Sequence, residues 1–172
     1  MFIWYFVGTL MSTLFASIPD RYGRKRTVYF FLFASVVAQT ILLYWPNYYA
    51  KCFAYLILGV GRLKDSQCYV WLSECFPFRL KSTAFTIINI VDASPMFVTC
   101  AYIYFVSRDI RTINEIVYYI VVAALLLTVI CPESPRWLIV NGRRKETIAT
   151  LNYLAKYNGS SKRIPEDAIF EE

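Results

Sequence analysis

The stretch Asp20-Arg21-Tyr22-Gly23-Arg24-Lys25-Arg26 puts four cations and one carboxylate into seven residues. Long and almost wholly apolar runs flank it, Met1 to Ile18 before and Val28 to Trp45 after. Apolar runs dissolve in lipid and clustered Lys and Arg do not, so a boundary between membrane and cytoplasm falls here. Gly23 supplies the backbone freedom that a tight reversal needs. The short connection makes the two flanking helices antiparallel neighbours. Asp20, beside Arg21 and within reach of Arg24, is placed to hold the turn and to tether a neighbouring helix end.

Outward from this stretch the pattern repeats. The chain has 172 residues, 58% of them hydrophobic and only 17% charged, which is too apolar for a soluble domain. The excess lies in five runs close to the roughly 20 residues that a helix needs to cross a bilayer. The expected crossings are residues 1–19, 28–45, 52–73, 83–106 and 113–131. The expectation is thus all-α: a polytopic membrane helix bundle over 1–131, a cytoplasmic helical region over 132–159, and a mobile acidic tail over 160–172. The short alternating segments of a membrane β-barrel are absent.

Alternation from a cytoplasmic Asp20–Arg26 places 20–27, 77–82 and 132–172 inside. Those segments hold 13 of the 18 Lys and Arg residues, whereas the outer connections hold only Lys51, Arg108 and Arg111. This is the asymmetry of a positive-inside membrane protein. The net charge of +6 is spread between apolar runs and not along one face, so the lipid bilayer is the expected partner and nucleic acid is not. Histidine is absent, which removes His-based acid–base chemistry and His-ligated metals. No nucleophile–base set is evident, so neither an enzyme nor a bound cofactor is expected. Cys52, Cys68, Cys75, Cys100 and Cys131 have no metal or redox spacing and read as small apolar packing residues.

Polar residues inside the runs carry more information. Arg62, Lys64 and Asp65 fall within the third, where each would cost about 2.5 to 3.5 kcal/mol if turned to lipid. They must face protein or a wet cavity. Arg62 and Asp65, three apart, can pair on one face, while Lys64 projects to another side. A cavity lining and a structural ion network both remain open. In the fourth run Asn89 and Asp92 share a face, and Pro95 frees a carbonyl one turn earlier. Asp92 reads either as a contact for a cation or proton, or as the counter-charge of Arg62 or Lys64.

Three local expectations complete the pass. Gly8, Ser12 and Ala16 form a small-residue stripe for close helix approach. Glu74 and Lys81 are able to pair across the turn at Pro77. Ser134-Pro135 reads as an N-cap with Pro at the first helical position, and Asn141-Gly142 as the end of that short helix. A second helix, Arg143 to Tyr157, carries Ile148, Leu151, Leu154 and Tyr157 on one side. It lies on the membrane or packs under the bundle.

Together these pieces resemble the major facilitator superfamily of secondary transporters. Asp20-Arg21-Tyr22-Gly23-Arg24-Lys25 is similar to the signature after that family's second helix. Glu74-Cys75-Phe76-Pro77 with Lys81 is similar to its Glu-x-x-Pro-x-x-x-Arg pattern after the fourth. Pro132-Glu133-Ser134-Pro135-Arg136-Trp137-Leu138 matches the motif after the sixth helix of sugar and organic-cation transporters. The following Asn141-Gly142-Arg143 through Gly159 is more similar to the organic-cation branch. Ala16, Lys81 and Tyr55 depart from the pattern, standing where Gly, Arg and Arg are usual.

The resemblance implies part of a transporter that moves a small organic solute, an organic cation among the candidates, by alternating access. It implies a cytoplasmic gate of Asp20, Arg21, Gly23, Arg24, Glu74, Pro77, Lys81, Glu133 and Arg136. Asn89 and Asp92, with Arg62 and Asp65, would line the solute path. The chain then corresponds to family helices two to six. The first helix and the second six-helix half are expected elsewhere, in a longer chain or in a partner. Two other readings stand beside it: a transporter-derived membrane interaction protein that does not transport, and a fragment of a heptahelical receptor, which shares Asp-Arg-Tyr.

Overall fold

The computed structural model describes residues 1–106, 108–159 and 163–165, with only the backbone of Phe78 and Arg79. Most of the expected tail, Ser107 and Lys162 lie outside the described residues. Among those residues every regular element is helical. The helices are α1 (Phe2–Ser12), α2 (Ile18–Tyr22), α3 (Arg24–Tyr44), α4 (Tyr48–Val60), α5 (Leu63–Cys75), α6 (Phe78–Phe105), α7 (Ile110–Ile130), α8 (Pro135–Val140) and α9 (Arg144–Tyr157). A single 3-10 turn, Thr13–Phe15, joins α1 to α2.

Arg24–Tyr44, Leu80–Phe105 and Ile110–Ile130 are each long and apolar enough to cross a membrane. Phe30, Phe33, Phe97, Tyr104, Leu126 and Ile130 are all exposed on them. Water would penalise that surface heavily, whereas lipid accepts it. The chain is an all-α membrane helix bundle. α3 is its hub, packed against α4, α5 and α7. It buries Thr27, Val28, Phe31, Leu32, Ser35 and Ala38, the largest buried set of any helix.

α1 lies against α4, and two glycines set their distance. A Cβ at Gly8 would collide with the carbonyl of Leu56 and come 3.0 Å from the Cα of Gly59. A Cβ at Gly59 would collide in turn with the carbonyl of Tyr5. The two backbones therefore touch, which is how membrane helices associate where apolar side chains gain nothing by leaving lipid. The small-residue stripe is used only in part: Gly8 and Ser12 are buried and Ala16 is exposed.

Two expected details come out differently. The turn after α2 contracts to one residue, Gly23, because α3 already begins at Arg24. The third run is not one uniform helix: it tightens between α4 and α5, with 3-10-type bonds from Arg62 N to Gly59 O and from Lys64 N to Gly61 O, both 3.1 Å. Gly61 and Arg62 keep right-handed helical torsions, so the path continues through the tightened turn. Ser35 of α3 explains the position, since a Cβ at Gly61 would sit 3.0 Å from its hydroxyl.

α6 is the outlying helix. None of its described side chains is buried, and its neighbour is α5. Pro95 leaves the carbonyl of Val91 without its helical donor. The Ser94 hydroxyl supplies one at 2.8 Å, so the helix runs on.

At the far end, Ser134 caps α8 by accepting from Trp137 N at 3.1 Å. Gly142, at φ +69°, closes it with Arg143 N donating to Leu138 O at 2.9 Å and Gly142 N to Ile139 O at 2.9 Å. α9 packs beside α8, and its Leu154 lines a cavity with Trp71 and Leu72 of α5. Its buried face is Thr147, Ile148 and Thr150, while Tyr157, expected on that side, is 80% exposed. Asn152 ties Ile164 back onto α9 through paired bonds of 2.8 and 3.1 Å.

Candidate functional site

Three segments far apart in sequence meet at one end of the bundle: the Gly23 turn, the end of α5, and the start of α8. Arg24 lies at their centre. Its Nη1 is 2.8 Å from Asp20 Oδ1, one helical turn back, and donates to Gln67 Oε1 at 3.0 Å. Its Nη2 is 3.7 Å from Glu74 Oε1. The Asp20 side chain is 64% exposed, so that bridge contributes only tenths of a kcal/mol. Arg24 and Glu74 are 15% and 9% exposed, so their attraction is weakly screened and the loss of either leaves a nearly buried charge.

Glu74 is held by its other oxygen, which accepts from the Ser134 hydroxyl at 2.5 Å. Ser134 thus caps α8 and ties it to α5 with one oxygen. Glu133 accepts the backbone N–H of Lys25 at 2.8 Å and that of Ser134 at 3.1 Å. Lys25 N is one of the unpaired donors in the first turn of α3, so a carboxylate is the natural acceptor there. The Trp137 indole N–H donates to the carbonyl of Asp20 at 2.8 Å, and Lys25 Nζ to the carbonyl of Val129 at 2.8 Å.

Gly23 makes this convergence possible. Its φ of +105° is closed to most L side chains. A Cβ there would also lie 2.6 Å from Glu133 Oε2 and 3.5 Å from the Trp137 ring. Gly23→Ala is expected to cost about 1–3 kcal/mol for the backbone alone, with the Glu133 contact to Lys25 N broken as well. Hydrogen exchange at the first turn of α3 checks this, and unchanged protection there would contradict it.

Not every sequence-designated residue joins. Asp20, Gly23, Arg24, Glu74 and Glu133 converge. Arg21 and Arg136 are exposed and have no polar partner among the described residues. Lys81 does not pair with Glu74, whose oxygens are taken by Arg24 and Ser134; it sits by a small crevice with Leu72, Ser73 and Phe76. Pro77 forms the N-cap position of α6. Gln67 was missed by sequence reasoning. The signal for it was its spacing: it lies seven residues before Glu74, on the same face two turns away.

The polar residues at the start of α5 and within α6 form separate groups. Arg62 Nη1 is 3.1 Å from Asp65 Oδ2, the spacing expected of an i, i+3 pair. Lys64 joins the same carboxylate at 3.3 Å, because its long stem bends across the turn. Among the described residues no ion pair joins Asp92 to either cation. Asn89 accepts from the Tyr69 hydroxyl at 3.3 Å, and Asp92 is exposed beside the same hydroxyl. The Tyr69 ring is stacked on Phe85, with centroids 6.2 Å apart.

Cys68, Cys75 and Cys131 line one apolar cavity of about 320 Å3 with Trp71, Leu72 and Leu154. Burial pushes the Cys75 thiol up to about 11, so it stays protonated and unreactive at neutral pH. No group of potential metal ligands is found among the described residues.

Fold and motif geometry thus define a polytopic helical membrane protein whose charged turns are clasped together at one end. The family model for sugar (and other) transporters matches residues 1–168. The chain belongs to this family, a branch of the major facilitator superfamily, whose members are transporters and not enzymes. It is 30% identical to monosaccharide-sensing protein 1 of Arabidopsis thaliana over 153 residues, covering 86% of this chain and 21% of that protein. It is 27% identical to organic cation/carnitine transporter 2 of Rattus norvegicus over 158 residues, 90% of this chain and 28% of the relative. Solute carrier family 22 member 6 of Rattus norvegicus is 25% identical over 162 residues, 92% of this chain and 29% of the relative. The chain spans less than a third of the length of these relatives.

Proposed function

We propose that this chain forms part of a secondary transporter for a small organic solute, a sugar or an organic cation, that works by alternating access. The observation that carries the reading is the meeting of Asp20–Lys25, Gln67–Glu74 and Glu133–Trp137 around Arg24. Rocking of one helical unit against another needs contacts that are strong when closed and able to part as a set. Charge-assisted bonds between helix ends meet that need. In this reading five crossings place the clasp on the cytoplasmic side. Arg21, Lys81 and Arg136 are then the cations left to meet further helices.

The exposed face of α6 supports a solute path through Asn89, Asp92 and Tyr69. Asp92 would be costly against lipid, so a wet or protein surface is its natural neighbour. The Arg62–Lys64–Asp65 group at the tightened turn reads as an ion network in which two cations share one carboxylate, with Arg62 and Asp65 at the edge of that path. The test is solute uptake into proteoliposomes holding the complete gene product that contains this chain, with radiolabelled glucose and tetraethylammonium as probes. Asp92→Asn is expected to lower uptake of the cation at least tenfold and to change glucose uptake little. Equal uptake of tetraethylammonium by a well-folded Asp92→Asn protein would overturn the role given to Asp92. Absence of uptake for both sugars and cations would favour the non-transporting reading.

A further inference from the structure

We propose that the cytoplasmic end of the bundle holds a site for a phosphate group, carried by a membrane lipid or by a soluble phosphate ester. A cavity of about 530 Å3 opens there between the first turn of α3, the end of α7, and α8 and α9. Its polar lining is mostly cationic: Lys25, Arg26 and Arg143, with Glu133 and Glu146. The carboxylates are already engaged. Glu133 accepts two backbone N–H groups and Glu146 lies 3.6 Å from Arg143. Lys25 donates only to a carbonyl, and Arg26 has no polar partner among the described residues. Arg143 lies over the Trp137 ring, 5.5 Å from its centroid, which fixes the guanidinium at the cavity wall.

Of the apolar lining, Trp137 and Leu138 are buried, while Tyr29 and Val129 face outward. Tyr29 and Val129 line the cavity one turn further into the membrane and are 42% and 57% exposed. A cationic rim directly above an apolar wall is complementary to a phosphate headgroup with its chains alongside. The first turn of α3 adds its positive end to the same space. The chemistry fits a phosphate monoester better than a carboxylate, because three cations from two separate segments, Lys25 and Arg26 of α3 and Arg143 after α8, line one volume. Glu133 and Trp137 belong to both the cavity and the clasp, so an occupant would bear on the contact between α3 and α8.

The test is binding of dioctanoyl phosphatidic acid, dioctanoyl phosphatidylcholine and glycerol 3-phosphate to the detergent-purified protein, read by native mass spectrometry. Phosphatidic acid is expected to be retained in preference to phosphatidylcholine. Arg26→Gln should weaken retention about fivefold and Arg26→Gln with Arg143→Gln about twenty-fivefold, at roughly fivefold per surface cation. Arg163→Gln, away from the cavity, should change nothing. Binding of glycerol 3-phosphate with the same dependence on Arg26 supports the site and identifies a soluble source; binding of the lipid alone identifies a membrane source. Retention of phosphatidic acid that is indifferent to Arg26→Gln, or no greater than that of phosphatidylcholine, overturns the proposal. Arg26 is exposed and has no polar partner among the described residues, so the single variant keeps its fold.

Discussion

Arg24→Ala is expected to lower the stability of the bundle by about 3–5 kcal/mol. The guanidinium is the one group that touches all three acceptors, Asp20, Gln67 and Glu74. Without it the Glu74 carboxylate, only 9% exposed, keeps the Ser134 hydroxyl as its one donor among the described residues. Asp20→Asn touches the same cation but removes only a solvated bridge, so about 0.5 kcal/mol is expected there. The contrast is the measurement: the thermal midpoint in detergent should fall by about 10 °C or more for Arg24→Ala, and by about 2 °C or less for Asp20→Asn. Similar shifts for the two would show that burial does not set the strength of this contact.

Gly8→Val should separate α1 from α4. The new side chain would lie on the Leu56 carbonyl and the Gly59 Cα, both backbone, and backbone cannot turn aside as a side-chain tip can. Overpacking of this kind costs about 3 kcal/mol. Gly59→Val should give the same result, because each glycine faces the backbone beside the other. Gly142→Asn is the matched control: nothing lies within 4 Å of its Cβ position and φ is +69°, a conformation Asn adopts readily. Its stability should change by about 0.5 kcal/mol or less. Loss of the folded fraction in size-exclusion chromatography for the first two variants, with retention for the third, checks the assignment.

The residues that were legible in the sequence are those whose chemistry is local. Arg and Lys between apolar runs mark a membrane boundary wherever they fall. Ser134-Pro135 and Asn141-Gly142 set the ends of α8 by backbone rules that need no tertiary partner. What stayed hidden depends on neighbours. The third run tightens at Gly61 and Arg62, where Ser35 stands against Gly61, and hydropathy is blind to that. Lys64 was placed apart from Asp65 by helical angle, but four methylenes let its ammonium reach round. The Glu74–Lys81 pairing failed because Ser134, sixty residues onward, outcompeted a nearer cation. Gln67 carries no charge, and only its spacing from Glu74 betrayed it.

The Trp137–Asp20 contact spans 117 residues and the Glu133–Lys25 contact 108. During synthesis the first charged turn must therefore wait, without its partners, while α3 to α7 are made and inserted. In the proposed topology the intervening chain crosses four times, an even number, and only an even number returns α8 to the side where Gly23 waits. A chain that skipped one crossing would leave Glu133 and Trp137 across the bilayer from their acceptors. Closure of these contacts thus requires that every intervening crossing has been made.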